Sequence, residues 1–271
     1  GRKDEMKILV VTTISNTVNL FLIPHLKFLI EKGHEVGLAF KTEFIDEEIF
    51  DLGCKIHHVE FQRNPLKREN LSAYKQIKKI IDEEGYELVH VHTPIASFIT
   101  RFACRKKKNV KVLYTAHGFH FFKGAPKKNW ILYYPLEKAA ARWTDGIITM
   151  NEEDYEAAKK FKLRTDNGVF KVNGVGLRLE KFFCPGKEEK RKLRKQYGYG
   201  ENDFILLNVG EFHQEKQQDL LIRAVSRIKG EIPRLKVLFA GSGRKGKDYR
   251  QLARDLGVEE MVELLGYRED I

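Results

Sequence analysis

Residues 112–130, VLYTAHGFHFFKGAPKKNW, gather the side chains best able to do chemistry. The segment begins as an apolar strand and turns at His117, Gly118 and His120. In an open parallel α/β sheet, ligands sit beyond the carboxyl ends of the strands. His117 is therefore a candidate to hydrogen-bond a substrate, and a histidine satisfied within its own turn is the plainer alternative. His120 has less support and on the simpler reading only shapes the loop. A second constellation comes later: Gly210, Glu211 and Lys216, followed by Gly241-Ser242-Gly243-Arg244. A lysine near the first turn of a helix adds a point charge to a terminus that already favours phosphate. Glycines directly after a buried strand let a ligand approach the backbone closely. A solvated lysine and an ordinary tight turn are the competing readings.

Charge points the same way. From Leu88 to Leu136 there is no Asp or Glu, while nine Lys or Arg occur, in a chain of net charge +11. Such a window suggests an anionic partner: nucleic acid, anionic lipid or a phosphorylated small molecule. Phe121, Lys123, Lys127, Lys128 and Trp130 combine aromatics with cations, as a lipid headgroup interface does. Aromatics packed in a core are the alternative, most plainly for Tyr133 and Tyr134. The basic run 105–108 equally suits a solvated helix end. Three scattered cysteines give neither a disulfide framework nor a zinc site, and a reducing cytosol is the default. No D-x-D pattern calls for a bridging metal, no nucleophile motif supports a covalent hydrolase, and no apolar run spans a membrane.

The elements that must position these residues follow from periodicity. Apolar runs at 7–12, 35–40, 55–60, 87–92, 110–115, 146–150 and 169–172 alternate with helical patterns at 18–32, 44–52, 71–84, 95–107, 129–143 and 152–161. This alternation is the signature of βαβ units and a parallel sheet. Asn151 reads as the cap of the last of these helices. A first domain is expected over 6–173. Residues 174–203, rich in glycine and charge, read as a linker. A second α/β unit over 204–271 has strands at 204–209, 235–240 and 261–265, with helices at 216–229 and 247–256. Three strands make half a sheet, so this second domain is expected to be incomplete.

Several stretches together resemble the family 4 retaining glycosyltransferases of GT-B fold, most closely the capsule and exopolysaccharide branch. They are MKILVVTT at the start, VHVHTP (89–94), TAHGFHFFKGAP (115–126), TDGIITMNEEDYEAA (144–158), VNGVGLRLEKF (172–182), LNVGEFHQEKQQDLLIRA (207–224), LFAGSGR (238–244) and LLGYREDI at the end. The resemblance implies two Rossmann-like domains facing across a cleft, the second holding a nucleotide sugar and the first an acceptor. It implies a UDP-sugar co-substrate rather than a resident cofactor. It also implies a polyprenyl-diphosphate-linked or glycan acceptor, no nucleic acid, and a cytoplasmic place at the anionic inner face of the plasma membrane.

By the same resemblance, Lys216 of the G-x5-K stretch contacts the donor diphosphate. Glu211 stands where the family usually has arginine, so one phosphate-neutralising charge is either missing or supplied elsewhere, with Arg244 the candidate. The backbone around Gly266, Tyr267 and Arg268 lies near the base, and His117 lies near the transferred sugar. Thr13, Ser15 and Asn16, after the first strand, are acceptor candidates with His120. The family's E-x7-E acids would fall beyond Ile271. An inactive, donor-less partner is therefore one alternative; a nucleotide-sugar epimerase and a basic nucleic-acid-binding module are others.

Overall fold

Alternating apolar and helical segments in the first two-thirds of the chain build one parallel sheet. The computed structural model describes residues 5–177, 182–268 and 270. Its strands are β1 (Lys7–Ile14), β2 (Glu35–Lys41), β3 (Lys55–His58), β4 (Leu88–His92), β5 (Lys111–Ala116), β6 (Gly146–Thr149) and β7 (Val169–Lys171), in the order β3-β2-β1-β4-β5-β6-β7. The order reverses between β1 and β4, and the crevice at such a switch point is where ligands enter. β4 pairs in register with β5, His90 opposite Leu113 and His92 opposite Thr115. The carboxyl ends of β4 and β5 therefore finish together.

Apolar side chains alternate to both faces. Leu9, Val11, Val89, Val91 and Val112 enter one core cluster; Ile8, Val10 and Leu38 enter the other, with Leu22, Ile23 and Leu26. Each fully buried aliphatic contributes about 2 kcal/mol. Helices α1 (Ser15–Thr17) and α2 (Ile23–Glu31) flank a π-helical turn, Val18–Leu22. A single helix over 18–32 is the sequence expectation. Pro24 has no N–H to return to the preceding turn, and a π turn is one way to reroute the ladder. α3 (Glu47–Asp51) is shorter than its pattern because Asp46 caps it, accepting from the Glu48 N–H. α4 (Glu69–Glu84), α5 (Pro94–Cys104), α6 (Lys127–Ala141) and α7 (Glu152–Ala158) complete the first unit, and Asn151 caps α7.

Contacts divide the chain into units 1–178 and 179–271. The expected linker 174–203 is thus shared between them. Helix α8 (Lys187–Gln196) and the turn after it lie with the second unit: Arg194 donates to the carbonyls of Gly200 and Asp203, and Tyr199 donates to Glu263. That unit holds a three-stranded parallel sheet of β8 (Phe204–Val209), β9 (Leu235–Ala240) and β10 (Val262–Gly266), β9 central. Helices α9 (Gln218–Ile228) and α10 (Gly246–Asp255) cover one face through Ile222, Val225, Tyr249 and Ala253. Among the described residues no helix is long and apolar enough to cross a membrane.

Candidate functional site

The carboxyl edge of the second sheet is made of backbone. Beyond β8 come Gly210 and Glu211; beyond β9, Gly241, Ser242 and Gly243; beyond β10, Tyr267 and Arg268. Together they line a hollow of about 390 Å³. Six of the expected nucleotide-side residues therefore meet at one place. The loops are joined by main-chain hydrogen bonds, Gly210 N to Ala240 O at 2.9 Å, Phe212 N to Ser242 O at 2.9 Å and Gly241 N to Gly266 O at 2.7 Å. A Cβ on Gly241 would lie 2.0 Å from the Gly210 carbonyl oxygen, and one on Gly243 2.5 Å from that of Phe212. Both glycines also hold positive φ, +152° and +156°. No other residue fits either position.

Lys216 needs a correction. It ends a 3₁₀ turn (Gln214–Lys216), Gln217 follows in the left-handed region at φ +53°, and α9 begins only at Gln218. The lysine is thus outside the helix whose first turn it was expected to charge. Its stem crosses Gly210 instead, its Cδ 3.9 Å from where a Cβ on that glycine would be. Lys216 and Arg244 are exposed and form no ion pair among the described residues. Arg268 is engaged: its Nε donates to Asp270 at 2.7 Å, and Tyr197 donates to the same carboxylate. These bonds hold the Asp270 carboxyl well below the usual range.

Gln218 and Tyr249, which shape this edge, escaped the sequence reading. Gln218, fully buried, donates to the Glu211 carbonyl at 3.0 Å and accepts from the Tyr249 hydroxyl at 3.1 Å. These bonds lock the loop on which Glu211 stands. The only hint was a glutamine at the start of an amphipathic helix.

The carboxyl edge of the first sheet is made of imidazoles. His90 and His92 alternate along β4 and so point to one face. His90 Nε2 lies 2.8 Å from Thr115 Oγ1, and His92 Nδ1 lies 3.1 Å from His117 Nε2. His25 of α2 joins them around a cavity of about 200 Å³ walled by Val10, Leu22, Leu26, Ile148 and Met150. Burial, helped by the other imidazoles, pushes His90 down to about 4 and His92 well below its ordinary value. His117 is lowered by desolvation and then by His25, though one side of it meets solvent. All three are neutral at pH 7, fit to donate or accept a hydrogen bond and unfit to clamp an anion.

On the adjoining rim, Thr13, Thr17, Arg63, Thr93, His120 and Tyr133 line a second hollow of about 270 Å³. Thr13 Oγ1 lies 2.7 Å from Thr93 Oγ1, and the His120 ring packs at a tilt against Tyr133 with centroids 4.5 Å apart. Thr13 and His120 come together there as expected; Asn16 is exposed and lines no hollow described here. Ser15 is a correction: it is fully buried, and its hydroxyl accepts from the Glu43 N–H, tying down a loop. Phe121 is another. It is 1% exposed, stacked on Phe119 and packed against Phe161, so it serves the core.

Asn151 does more than cap. It and the Phe119 N–H both donate to buried Asp154, whose carboxylate therefore pins the aromatic loop to α7. The basic window is in part self-neutralised. Arg101 is buried against Glu137 at 2.8 Å, Lys107 pairs with Asp82, and Arg105 lies over Phe102. Lys123, Lys127 and Lys128 form no ion pair among the described residues, and beside them Phe122, Trp130, Ile131 and Leu132 are exposed, Ile131 by 76%. Tyr133 and Tyr134 pack against the core.

Two family models match the chain, glycosyl transferase 4-like over residues 7–151 and glycosyl transferases group 1 over 189–271. EpsD of Bacillus subtilis (strain 168), which carries a provisional glycosyltransferase name, is 39% identical over 98% of this chain and 69% of its own length. An Escherichia coli UDP-Gal:alpha-D-GlcNAc-diphosphoundecaprenol alpha-1,3-galactosyltransferase is 29% identical over 76% of this chain and 55% of its length. The crystal structure of Anabaena HepE in complex with UDP and glucose superposes with a TM-score of 0.74 at 18% identity, over 98% of this chain and 70% of that one. The chain belongs to the glycosyltransferases of this family, enzymes of GT-B fold. It spans 55% to 69% of the length of the two sequence relatives named.

Proposed function

We propose that this protein transfers a sugar from a UDP-sugar to a lipid-linked or polysaccharide acceptor, with retention, in the synthesis of a cell-surface polysaccharide. The observation that carries the reading is the glycine edge of the second sheet. There, strand-end backbone at Gly210, Gly241 and Gly243 leaves a hollow no side chain fills, with Lys216 and Arg244 on exposed ground nearby. A leaving diphosphate gathers charge as the glycosidic bond breaks, and cations with main-chain dipoles stabilise that charge. Glu211 brings no positive charge, so Lys216 is the principal clamp and Arg244 the second. Tyr267 and Arg268 flank the base, Arg268 contributing backbone while its side chain holds Asp270. His117, neutral, hydrogen-bonds the transferred sugar.

The UDP and lipid-linked parts of the reading draw on the relatives' printed names: one uses a UDP sugar on a diphosphoundecaprenol acceptor, another was crystallised with UDP and glucose. Thr13 and His120 are assigned to the acceptor side. Calorimetric titration of UDP into the chain tests the donor site. Saturable binding weakened at least about tenfold by Lys216→Ala is expected, the worth of one charge-assisted hydrogen bond. Absence of binding at millimolar UDP, or binding indifferent to Lys216, would sink it.

Peripheral attachment at the cytoplasmic face of the plasma membrane belongs to the same proposal. Lys123, Lys127 and Lys128 beside exposed Phe122, Trp130, Ile131 and Leu132 suit an anionic headgroup layer. Liposome flotation should show recruitment that needs anionic lipid and is lost in a Lys127→Glu, Lys128→Glu variant. Recruitment indifferent to lipid charge would remove this part alone.

A further inference from the structure

The four-histidine cavity contains a contact whose logic is tighter than ordinary packing. His92 Nδ1 and His117 Nε2 face each other at 3.1 Å. Two neutral imidazoles can make that bond only with one proton between the two nitrogens, so each ring's tautomer dictates the other's. If His92 donates, its own proton sits on Nδ1. His117, accepting at Nε2, must then also carry its proton on Nδ1. Both rings are then in the form that a free neutral histidine disfavours. If His117 donates from Nε2, His92 accepts at Nδ1 and carries its proton on Nε2, and both rings are in the preferred form. The second arrangement costs no tautomer energy on either ring.

The surroundings favour a neutral, fixed pair. His92 is 4% exposed at the last position of β4, where its backbone pairs with Thr115 of β5 and its neighbour Val91 with Val11 of β1. Its ring lies between two others at tilted angles, centroids 4.3 Å from His90 and 5.4 Å from His117. His25 and the apolar side chains of Leu22 and Leu26 share the lining of this cavity. Among the described residues no carboxylate lines this cavity to stabilise an imidazolium. His117 Nδ1 has no hydrogen-bond partner among the described residues, and His117, unlike the buried His92 it faces, meets solvent.

We propose that His92 is the positioning residue that fixes His117: it accepts the Nε2 proton, holds the ring in place and obliges His117 to present Nδ1 as a bare acceptor. A sugar hydroxyl donating to that nitrogen would be held in one orientation. The tautomer follows from the cavity alone; its consequence for catalysis rests on the transfer reading above.

Long-range ¹H–¹⁵N spectra of the full chain at neutral pH decide the tautomer. His117 is expected to show a protonated Nε2 and an unprotonated Nδ1, with His92 likewise protonated at Nε2. A nitrogen–nitrogen coupling across the shared proton should link His117 Nε2 to His92 Nδ1. His92→Asn, whose side-chain oxygen can stand where Nδ1 stood, should preserve the His117 pattern. His92→Gln, whose amide reaches toward the Nε2 position instead, should lose it and give averaged shifts. Because the two amides are chemically alike, a general loss of structure would not separate them. A His117 proton on Nδ1, or the same spectrum in both variants, overturns the proposal.

If the chain transfers sugar, His92→Gln should lower kcat about tenfold, the worth of one hydrogen bond, with UDP affinity unchanged and His92→Asn close to wild type. An equal kcat in all three would overturn the catalytic part. A chain with no transferase activity would instead fail the functional reading, leaving the spectra to decide the tautomer.

Discussion

The carboxyl edge of the seven-stranded sheet is wired through side chains, imidazole to imidazole and threonine to threonine, whereas that of the three-stranded sheet is almost bare backbone. The first edge encodes its geometry in hydrogen bonds that other side chains can partly imitate. The second encodes it in the absence of Cβ atoms, which nothing can imitate. The contrast follows from the partners assigned to each. A diphosphate needs several N–H dipoles and cations at close range, and side chains on the loop would hold it away. A sugar hydroxyl needs one directional donor or acceptor, best supplied by a ring that cannot turn. The two edges should therefore fail differently when altered.

The largest effect belongs to the glycine edge. Gly241→Ala places a methyl 2.0 Å from the Gly210 carbonyl oxygen and forces alanine to φ +152°. Strain and overlap together should cost about 4 kcal/mol. The two loops must separate to relieve it, so UDP binding should disappear before the rest of the second unit melts. Far-UV circular dichroism with UDP titration measures both. Near-normal UDP affinity in this variant would show that the loops are not held as tightly as their hydrogen bonds indicate, and would erase the contrast between the edges.

How much of each edge could be read beforehand also differs. β8 and β9 match their expected bounds because a short apolar run announces a strand, whether it is buried as β9 is or half-exposed as β8 is. The position of the glycine loop at the strand end was legible too, whereas the close loop packing that demands glycine at 241 and 243 was not. His117 was found from its place at a strand end, but His92 and His90 were passed over within VHVHTP. Their spacing of two was the available signal: in a strand it sets both rings on one face. What local sequence could not decide is where a side chain spends its hydrogen bond. Ser15 satisfies a loop N–H and Phe121 fills the core, and each is the right type for either role. Lys216 was misplaced for a related reason. The left-handed turn at Gln217 is stabilised by the buried Gln218–Glu211 and Gln218–Tyr249 bonds, which are tertiary and invisible in a helical pattern.

A smaller effect tests the histidine edge through acid. His90 has an ordinary value of 6.5 and is pushed down to about 4 by burial, then by the charges of His25 and His117. The unfolded chain therefore takes up a proton there below pH 6.5 while the folded chain does not. A lowered histidine makes stability complete above the unfolded value and erodes it as pH falls toward the folded one. At pH 5 the loss from this group alone should be about 2 kcal/mol. Paired carboxylates with depressed values lose their contribution only at lower pH, so the window from 6.5 to 5 belongs to the imidazoles.

Both tryptophans, Trp130 and Trp143, lie in the first unit. Their fluorescence in urea therefore reports the sheet that carries His90. His90→Gln can keep a hydrogen bond to Thr115 but cannot titrate, so it should flatten the dependence on pH across that window relative to wild type. An unchanged slope would mean that the cavity admits water and solvates the imidazolium. The first edge would then be an open polar surface rather than the dry, neutral network that fixing His117 requires.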